Sequence, residues 1–139
     1  MIMMLEELEE YMRKPGTFYK MPKKLFHDPE YADMSCDAKA LYMILLDRRY
    51  LSESNGSEWR DEQGCVFLYF TIKEMMGLMN YGDKKINEIL KELEKYNLIF
   101  RKHRGLGKPN RLYVYDVFRP DDHNWYPQDK LTWKIVHVS

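Results

Sequence analysis

The tightest constraint on this chain is a short periodic run. Ile86, Ile89, Leu90 and Leu93 fall at i, i+3, i+4 and i+7, which places all four on one face of a helix that must be buried. Asp83 is placed to cap that helix, which is expected to run to about Tyr96. Upstream, Thr71 with Glu74 three residues on makes a capping box, opening a short helix through Met79. Asn80-Tyr81-Gly82 lies between the two, and Asn and Gly tolerate the left-handed backbone of a sharp corner. The result is a helix-turn-helix. Opposite the apolar stripe lie Lys84, Asn87, Glu88 and Lys91, with Lys85 at the flank. Lys and Asn near the start of such a helix suit a DNA major groove, where Lys reaches phosphate or guanine and Asn pairs with the edge of adenine.

A basic hairpin follows. Leu98-Ile99-Phe100 starts a strand that turns cationic at Arg101, Lys102 and Arg104. Gly105-Leu106-Gly107-Lys108-Pro109-Asn110 cannot continue a strand, and Arg111-Leu112-Tyr113-Val114-Tyr115 returns with half-buried alternation. From Ile99 to Tyr115 there are five Lys or Arg residues and no Asp or Glu. A short, Gly-tipped cationic hairpin directly after a helix-turn-helix reads as the wing of a winged helix, laid along phosphates.

Overall charge hides this. Lys plus Arg and Asp plus Glu are 22 each, so the chain of 139 residues is formally neutral. Acid collects at Glu6, Glu7, Glu9 and Glu10 and again at Glu53, Glu58, Asp61 and Glu62, whereas base collects from Lys84 to Arg119. A polarised molecule with one cationic face is expected, since distribution rather than total charge governs DNA reading. Cys36 and Cys65 form no C-x-x-C pattern and fit a reducing, cytoplasmic setting. Cys36 falls in a first helical turn but has no basic neighbour in sequence, so a plain small side chain is expected there. No apolar run reaches the length of a membrane span, and the acidic N-terminus is unlike a signal peptide.

Elsewhere, residues 1–17 read as an acidic amphipathic helix, with Met4, Leu5, Leu8, Tyr11 and Met12 on one face, broken by Lys14-Pro15-Gly16. That helix packs on its own domain or frays, or else it meets a second subunit or a partner. Residues 18–119 form the winged-helix domain and 120–139 a tail. Met21 to Phe26 lays an extended segment and one turn over the core. Ser35 caps a helix expected to end near Tyr50, with Ala38, Leu41, Tyr42, Leu45 and Leu46 inward and Asp47, Arg48 and Arg49 at its wet end. Ser52 to Gly64 reads as a loop anchored by Trp59. Cys65 to Phe70 reads as a strand that completes a small antiparallel sheet with the wing. The tail, with Trp125, Trp133 and a strand-like end at Lys134–Val138, docks, adds an edge strand or pairs with another chain. The fold class expected is α+β.

No catalytic or metal chemistry stands out. His27, His103, His123 and His137 are scattered without metal-ligand spacing. Gly105-Leu106-Gly107-Lys108-Pro109 fails as a phosphate loop, because Pro109 replaces the required Ser or Thr and a strand follows. Met75, Met76 and Met79 read as core filling. Neither an enzyme nor a cofactor is expected.

Five phrases in order resemble the N-terminal domain of the plasmid replication initiator A family of Gram-positive bacteria. They are Phe18-Tyr19-Lys20-Met21-Pro22-Lys23-Lys24-Leu25-Phe26, Leu41-Tyr42 through Leu46-Asp47-Arg48, and Asp61-Glu62 to Tyr69-Phe70-Thr71. Leu90-Lys91-Glu92-Leu93-Glu94 and Gly105-Leu106-Gly107-Lys108-Pro109-Asn110-Arg111 complete the set, which spans roughly residues 18 to 115. The resemblance implies a winged-helix domain that binds repeated sites at a plasmid origin, often as a homodimer, and starts replication with host proteins. Family members usually continue into a linker and a C-terminal domain, which the residues after Arg119 do not resemble.

The expected function is therefore sequence-specific binding of double-stranded DNA at a plasmid replication origin. Lys84, Lys85, Asn87 and Lys91 would serve on the recognition helix, and Arg101, Lys102, Arg104, Lys108 and Arg111 on the phosphates. Two alternatives stay open. One is a transcriptional regulator on the same scaffold. The other is a protein-interaction module, because Glu88 and Glu92 beside Lys84 and Lys91 make a mixed-charge face.

Overall fold

The computed structural model describes residues 17–128 and, within a helix, Glu6, Glu7 and Glu10, all three exposed. The apolar face expected over residues 1–12 and the strand-like end at 134–138 lie outside the described residues. The first described element is a single turn of helix, α1 (Lys24–His27), followed by a 3-10 turn at Pro29–Tyr31. Leu25 and Tyr31 from this segment enter the core, as the extended-plus-one-turn reading expects.

The long helix α2 (Cys36–Ser54) organises the domain. Ser35 adopts extended backbone and its Oγ accepts from the Ala38 N–H at 3.1 Å, as expected of an N-cap. Ala38, Leu41, Tyr42, Leu45 and Leu46 are all buried. Two expectations fail here. The helix runs to Ser54 rather than ending near Tyr50, so Ser52 is helical and buried instead of starting a loop. Arg49, expected at the wet end, is only 4% exposed. The physical reason lies in its partners. One guanidinium nitrogen donates to the Val114 carbonyl, Nε donates to Glu53 at 3.0 Å, and the other lies 3.3 Å from Asp122. Val114 ends the hairpin and Asp122 lies beyond it, so local sequence gives no sign of either.

Helices α3 (Ile72–Met79) and α4 (Asp83–Lys95) form the helix-turn-helix. The capping box is present in both halves: Thr71 Oγ1 accepts from the Glu74 N–H at 3.1 Å, and the Glu74 carboxylate accepts from the Thr71 N–H at 3.3 Å. Asn80 takes the corner at φ 58°. Gly82, not Asp83, is the N-cap of α4, and Asp83 is its first helical residue. There its carboxylate complements the positive helix end rather than bonding a backbone N–H. The stripe Ile86, Ile89, Leu90 and Leu93 is buried against α2 and α3, no member more than 2% exposed. Met75 is buried beside it and Met76 and Met79 pack on the same core.

Strands β1 (Ile99–Lys102) and β2 (Arg111–Val114) pair antiparallel, with Ile99 opposite Val114 and Phe100 opposite Tyr113. This register gives the hairpin two different faces. Ile99, Leu112 and Val114 join the main core, whereas Phe100 and Tyr113 join an aromatic cluster with Cys65, Phe67, Trp59, Tyr69, Trp125 and Tyr126. The expected strand over Cys65–Phe70 is not a third strand of the sheet. Only Leu68 meets Leu112, through reciprocal backbone bonds of 2.8 and 3.0 Å, and Val66 meets Arg60. Side-chain burial holds this segment instead: Leu68 points into the main core while Cys65 and Phe67 enter the aromatic cluster. Trp59 anchors the loop there, 6.0 Å from the rings of both Phe67 and Tyr69.

The described part of the tail docks on the domain. Tyr126 lies 5.3 Å from Phe100 and Trp125 lies 5.6 Å from Tyr115, ring to ring. With Tyr31 and Tyr96 these side chains line a cavity of about 470 Å³ at the base of the hairpin. The chain leaving β2 is pinned to α2. Tyr42 donates to the Tyr115 carbonyl and accepts from the Val117 N–H at 3.1 Å, and Tyr50 donates to the buried Asp116 at 2.9 Å.

Replacing Arg49 with Ala should cost about 1–3 kcal/mol in denaturant unfolding, because the Val114 carbonyl is left without its donor. Burial pushes the Glu53 carboxyl upward, but hydrogen bonds from Arg119 and Arg49 outweigh it and hold it below the ordinary 4.5. A depressed carboxyl stabilises fully above its unfolded value, so stability should fall as pH drops through and below 4.5. Unfolding curves of Glu53→Gln across that range should lack this component.

Candidate nucleic-acid interface

With its stripe buried, α4 turns the remaining face outward by geometry alone. Lys84, Lys85, Glu88 and Lys91 are exposed and Asn87 is half-buried. Lys84, Glu88, Lys91 and Lys95 recur every three or four residues along that surface. Among the described residues, Lys84 and Lys91 have no ion-pair partner. Lys85 differs, since its ammonium lies 3.5 Å from Asp37 at the start of α2 and 5.8 Å from the Tyr81 ring centre. Asn87 donates one amide hydrogen to the Asp83 carbonyl at 2.9 Å. Its second N–H and its carbonyl oxygen have no partner among the described residues, and these are the two groups with which an Asn can pair with adenine.

Bonds from the start of α2 fix the angle of α4. The Ser35 hydroxyl and N–H both donate to the Glu92 carboxylate, at 2.6 and 2.7 Å. Tyr81, at the corner before α4, donates to Asp37 at 2.8 Å. The N-terminal turn of α2 therefore grips α4 at its entry through Asp37 and near its exit through Glu92.

The five hairpin cations do not share one environment. Arg101 is ion-paired with Glu94 on α4, its Nε donating at 3.1 Å. The wing thus has a compensating acid that its own sequence lacks. Arg111 lies over the Phe67 ring, 4.2 Å from its centre and beside the Tyr69 and Tyr113 hydroxyls. Its Nε is buried with no hydrogen-bond partner among the described residues. Tyr113 in turn donates to Asp61 at 2.8 Å, and burial together with that bond raises its phenol. Arg104 donates to Tyr69 at 3.1 Å but remains half-exposed. Lys102 and Lys108 have no ion-pair partner among the described residues.

Two inward cations escape sequence reasoning, Arg49 and the 6%-exposed Lys39, whose ammonium sits 4.3 Å from the Phe26 ring centre. The spacing of Arg49 from Leu45, at i+4 on the buried face, is the one sequence signal available for it. Neither free cysteine forms a site. Cys36 is exposed, and burial pushes the Cys65 thiol up to about 11, where it donates to the Asn124 carbonyl. Among the described residues no group of three or more His, Cys, Asp or Glu could hold a metal ion. No helix among them is long and apolar enough to cross a membrane.

Residues 17–125 match the family described as the N-terminus of replication initiator protein A, RepA. The chain belongs to this family. It is 32% identical over 103 residues to a "41 kDa protein" of Lactobacillus helveticus, covering 70% of this chain but only 29% of that relative's length. A solved structure described as "N-Terminal domain of DNA binding protein" superposes with TM-score 0.66 at 30% identity, covering 98% of this chain and 92% of that one. "Structure of Rep-DNA complex" gives TM-score 0.66 at 30% identity over 98% and 93%. "Structure of MDR initiator" gives 0.62 at 31% over 99% and 98%. The RepA N-terminal domain here is thus an α+β winged helix, with the helix-turn-helix and basic hairpin in the expected order.

In a double-mutant cycle, Ser35→Ala and Glu92→Gln should be non-additive. Glu92→Gln should cost about 1 kcal/mol in the native background and measurably less once Ser35 has lost its hydroxyl, the bond from the Ser35 N–H being kept in both backgrounds. Chemical unfolding of the four proteins measures the coupling.

Proposed function

We propose that this RepA-family domain binds double-stranded DNA at sites in a plasmid replication origin, as the DNA-reading part of a replication initiator. The observation that carries the reading is the outward face of α4, where Lys84 and Lys91 have no ion-pair partner among the described residues, on a helix whose opposite face is locked into the core. A helix face with three lysines to one acid, Glu88, beside a cationic hairpin carries net positive charge that polyanion binding relieves. Arg101 supports the geometry, because its pairing with Glu94 ties the base of the wing to that same helix.

Within this reading the nine cationic and amide side chains divide. Asn87, with Lys84 and Lys91, reads the major groove. Lys102, Arg104 and Lys108 hold phosphates, and Lys85 joins α4's contacts only by leaving Asp37. Arg101 and Arg111 act from behind, shaping the wing rather than meeting the duplex. The initiator acts as a homodimer with host replication proteins in the cytoplasm, and its work on the duplex needs no cofactor.

Gel-shift and anisotropy titrations on origin and random duplexes test this directly. A chain that binds no duplex at low salt would overturn it. Loss of Lys102 or Lys108 to Ala should weaken binding to every sequence alike and lower the salt slope by about 0.9 per phosphate contact. Asn87→Ala should cost roughly 1–3 kcal/mol on the cognate site and little on random DNA. Support of origin-bearing plasmid replication in cells separates an initiator from a repressor on the same fold, since a repressor would not sustain copying.

A further inference from the structure

Leu106 stands at the apex of the wing and is 103% exposed, the most exposed large apolar side chain among the described residues. Apolar residues scattered singly over a surface are common and need no explanation. This one is presented by a built turn. The Lys108 N–H reaches the Gly105 carbonyl at 3.4 Å, closing a four-residue turn with Leu106 and Gly107 at its centre. Gly107 has φ +78°, the value that the third position of a type II turn demands and L side chains resist. Gly105 is also left-handed, at φ +94°. A Cβ at either glycine would meet nothing within 4 Å, so backbone conformation rather than crowding calls for both.

The consequence is a tip one side chain wide. Neither neighbour of Leu106 carries a Cβ, and cations stand just behind it on both arms of the loop, Arg104 steadied by the Tyr69 hydroxyl and Lys108 without an ion-pair partner among the described residues. No acid lies between Ile99 and Tyr115. A narrow apolar point flanked by phosphate-binding cations matches the minor groove, about 6 Å wide, where Leu, Phe, Ile or Met wedges part base steps.

We propose that Leu106 is an apolar wedge which the wing inserts into the minor groove, partly unstacking one base step and bending the duplex. The proposal rests on the DNA-binding reading above. The pyrimidine–purine steps TA and CA/TG unstack most readily and are the expected target.

The test uses the full chain and duplexes carrying 2-aminopurine at successive positions across the bound site, with donor and acceptor dyes at the ends. Wild type should raise 2-aminopurine fluorescence at one step and shorten the end-to-end distance. Leu106→Ala should bind about 10- to 100-fold more weakly, the cost of leaving that side chain's burial unmade, with no fluorescence rise and less bending. Its salt slope should be unchanged, because every cation remains, and Leu106→Met should restore the signal. Full exposure in the free protein means that Leu106→Ala removes no internal contact. Wild type binding with no change at any step, or Leu106→Ala bending DNA as wild type does, would overturn the wedge while leaving DNA binding intact. Loss only of cooperativity between adjacent sites would also overturn it, in favour of a contact between bound copies. No binding by wild type at all would overturn the DNA-binding reading itself, and the wedge with it.

Discussion

The burial of four aliphatic side chains on α4 constrains everything else in this domain. Ile86, Ile89, Leu90 and Leu93 leave water almost completely, and each such burial contributes on the order of 1.5–3 kcal/mol. Once they are seated on α2 and α3, rotation of α4 about its axis is fixed, and Lys84 and Lys91 have nowhere to point but outward. The polar bonds from α2 then refine what packing alone leaves loose. Ser35 to Glu92 and Asp37 to Lys85 and Tyr81 act at the two ends of α4. A helix held this way keeps the same face outward before any ligand arrives, which lowers the ordering cost of any binding there.

A second division runs between arginine and lysine. Arg49, Arg101 and Arg111 are all turned toward the protein, onto a carbonyl and carboxylates, onto Glu94, and onto the Phe67 ring respectively. Lys84, Lys91, Lys102 and Lys108 have no ion-pair partner among the described residues. The chemistry of the two groups explains the split. A planar guanidinium forks onto oxygens and stacks on aromatic faces at modest desolvation cost, whereas an ammonium is a compact, strongly hydrated charge that stays wet. A formally neutral chain can in this way keep a net cationic surface, because Arg49 and Arg101 take up acids while Lys84, Lys91, Lys102 and Lys108 pair with none among the described residues. Lys39, buried over Phe26, and Lys85, paired with Asp37, depart from this pattern.

The wing joins a rigid base to a free tip. At the base, Tyr42, Tyr50 and Arg49 bind the chain as it leaves β2, and an aromatic layer from Trp59 to Tyr126 covers the outer face of the sheet. Beyond Lys102 and Arg111 the ladder stops, and every residue from Gly105 to Asn110 is exposed. Such a finger keeps its root in register while its apex stands exposed.

Periodicity and turn chemistry were enough to read most of the framework from the chain alone. The stripe on α4, the Thr71–Glu74 capping box, the Asn80 corner and the Gly-tipped hairpin are all local patterns, set by side-chain spacing and backbone preference within a few residues. Contacts between distant segments were not legible in that way. The sequence shows five hairpin cations without an acid, and only folding brings Glu94 to Arg101 and an aromatic bed beneath Arg111. It shows an apolar run at Cys65–Phe70, and only packing decides that Leu68 alone meets β2 while its neighbours serve a separate cluster. It shows Arg49 at the end of a helix, and only the return of the chain past Val114 and Asp122 makes that position an interior one. Local spacing determined which elements form and which faces they bury. Tertiary structure decided which charges are cancelled, because a partner such as Asp122, 73 residues from Arg49, or Glu94, on a different element from Arg101, leaves no mark on local pattern.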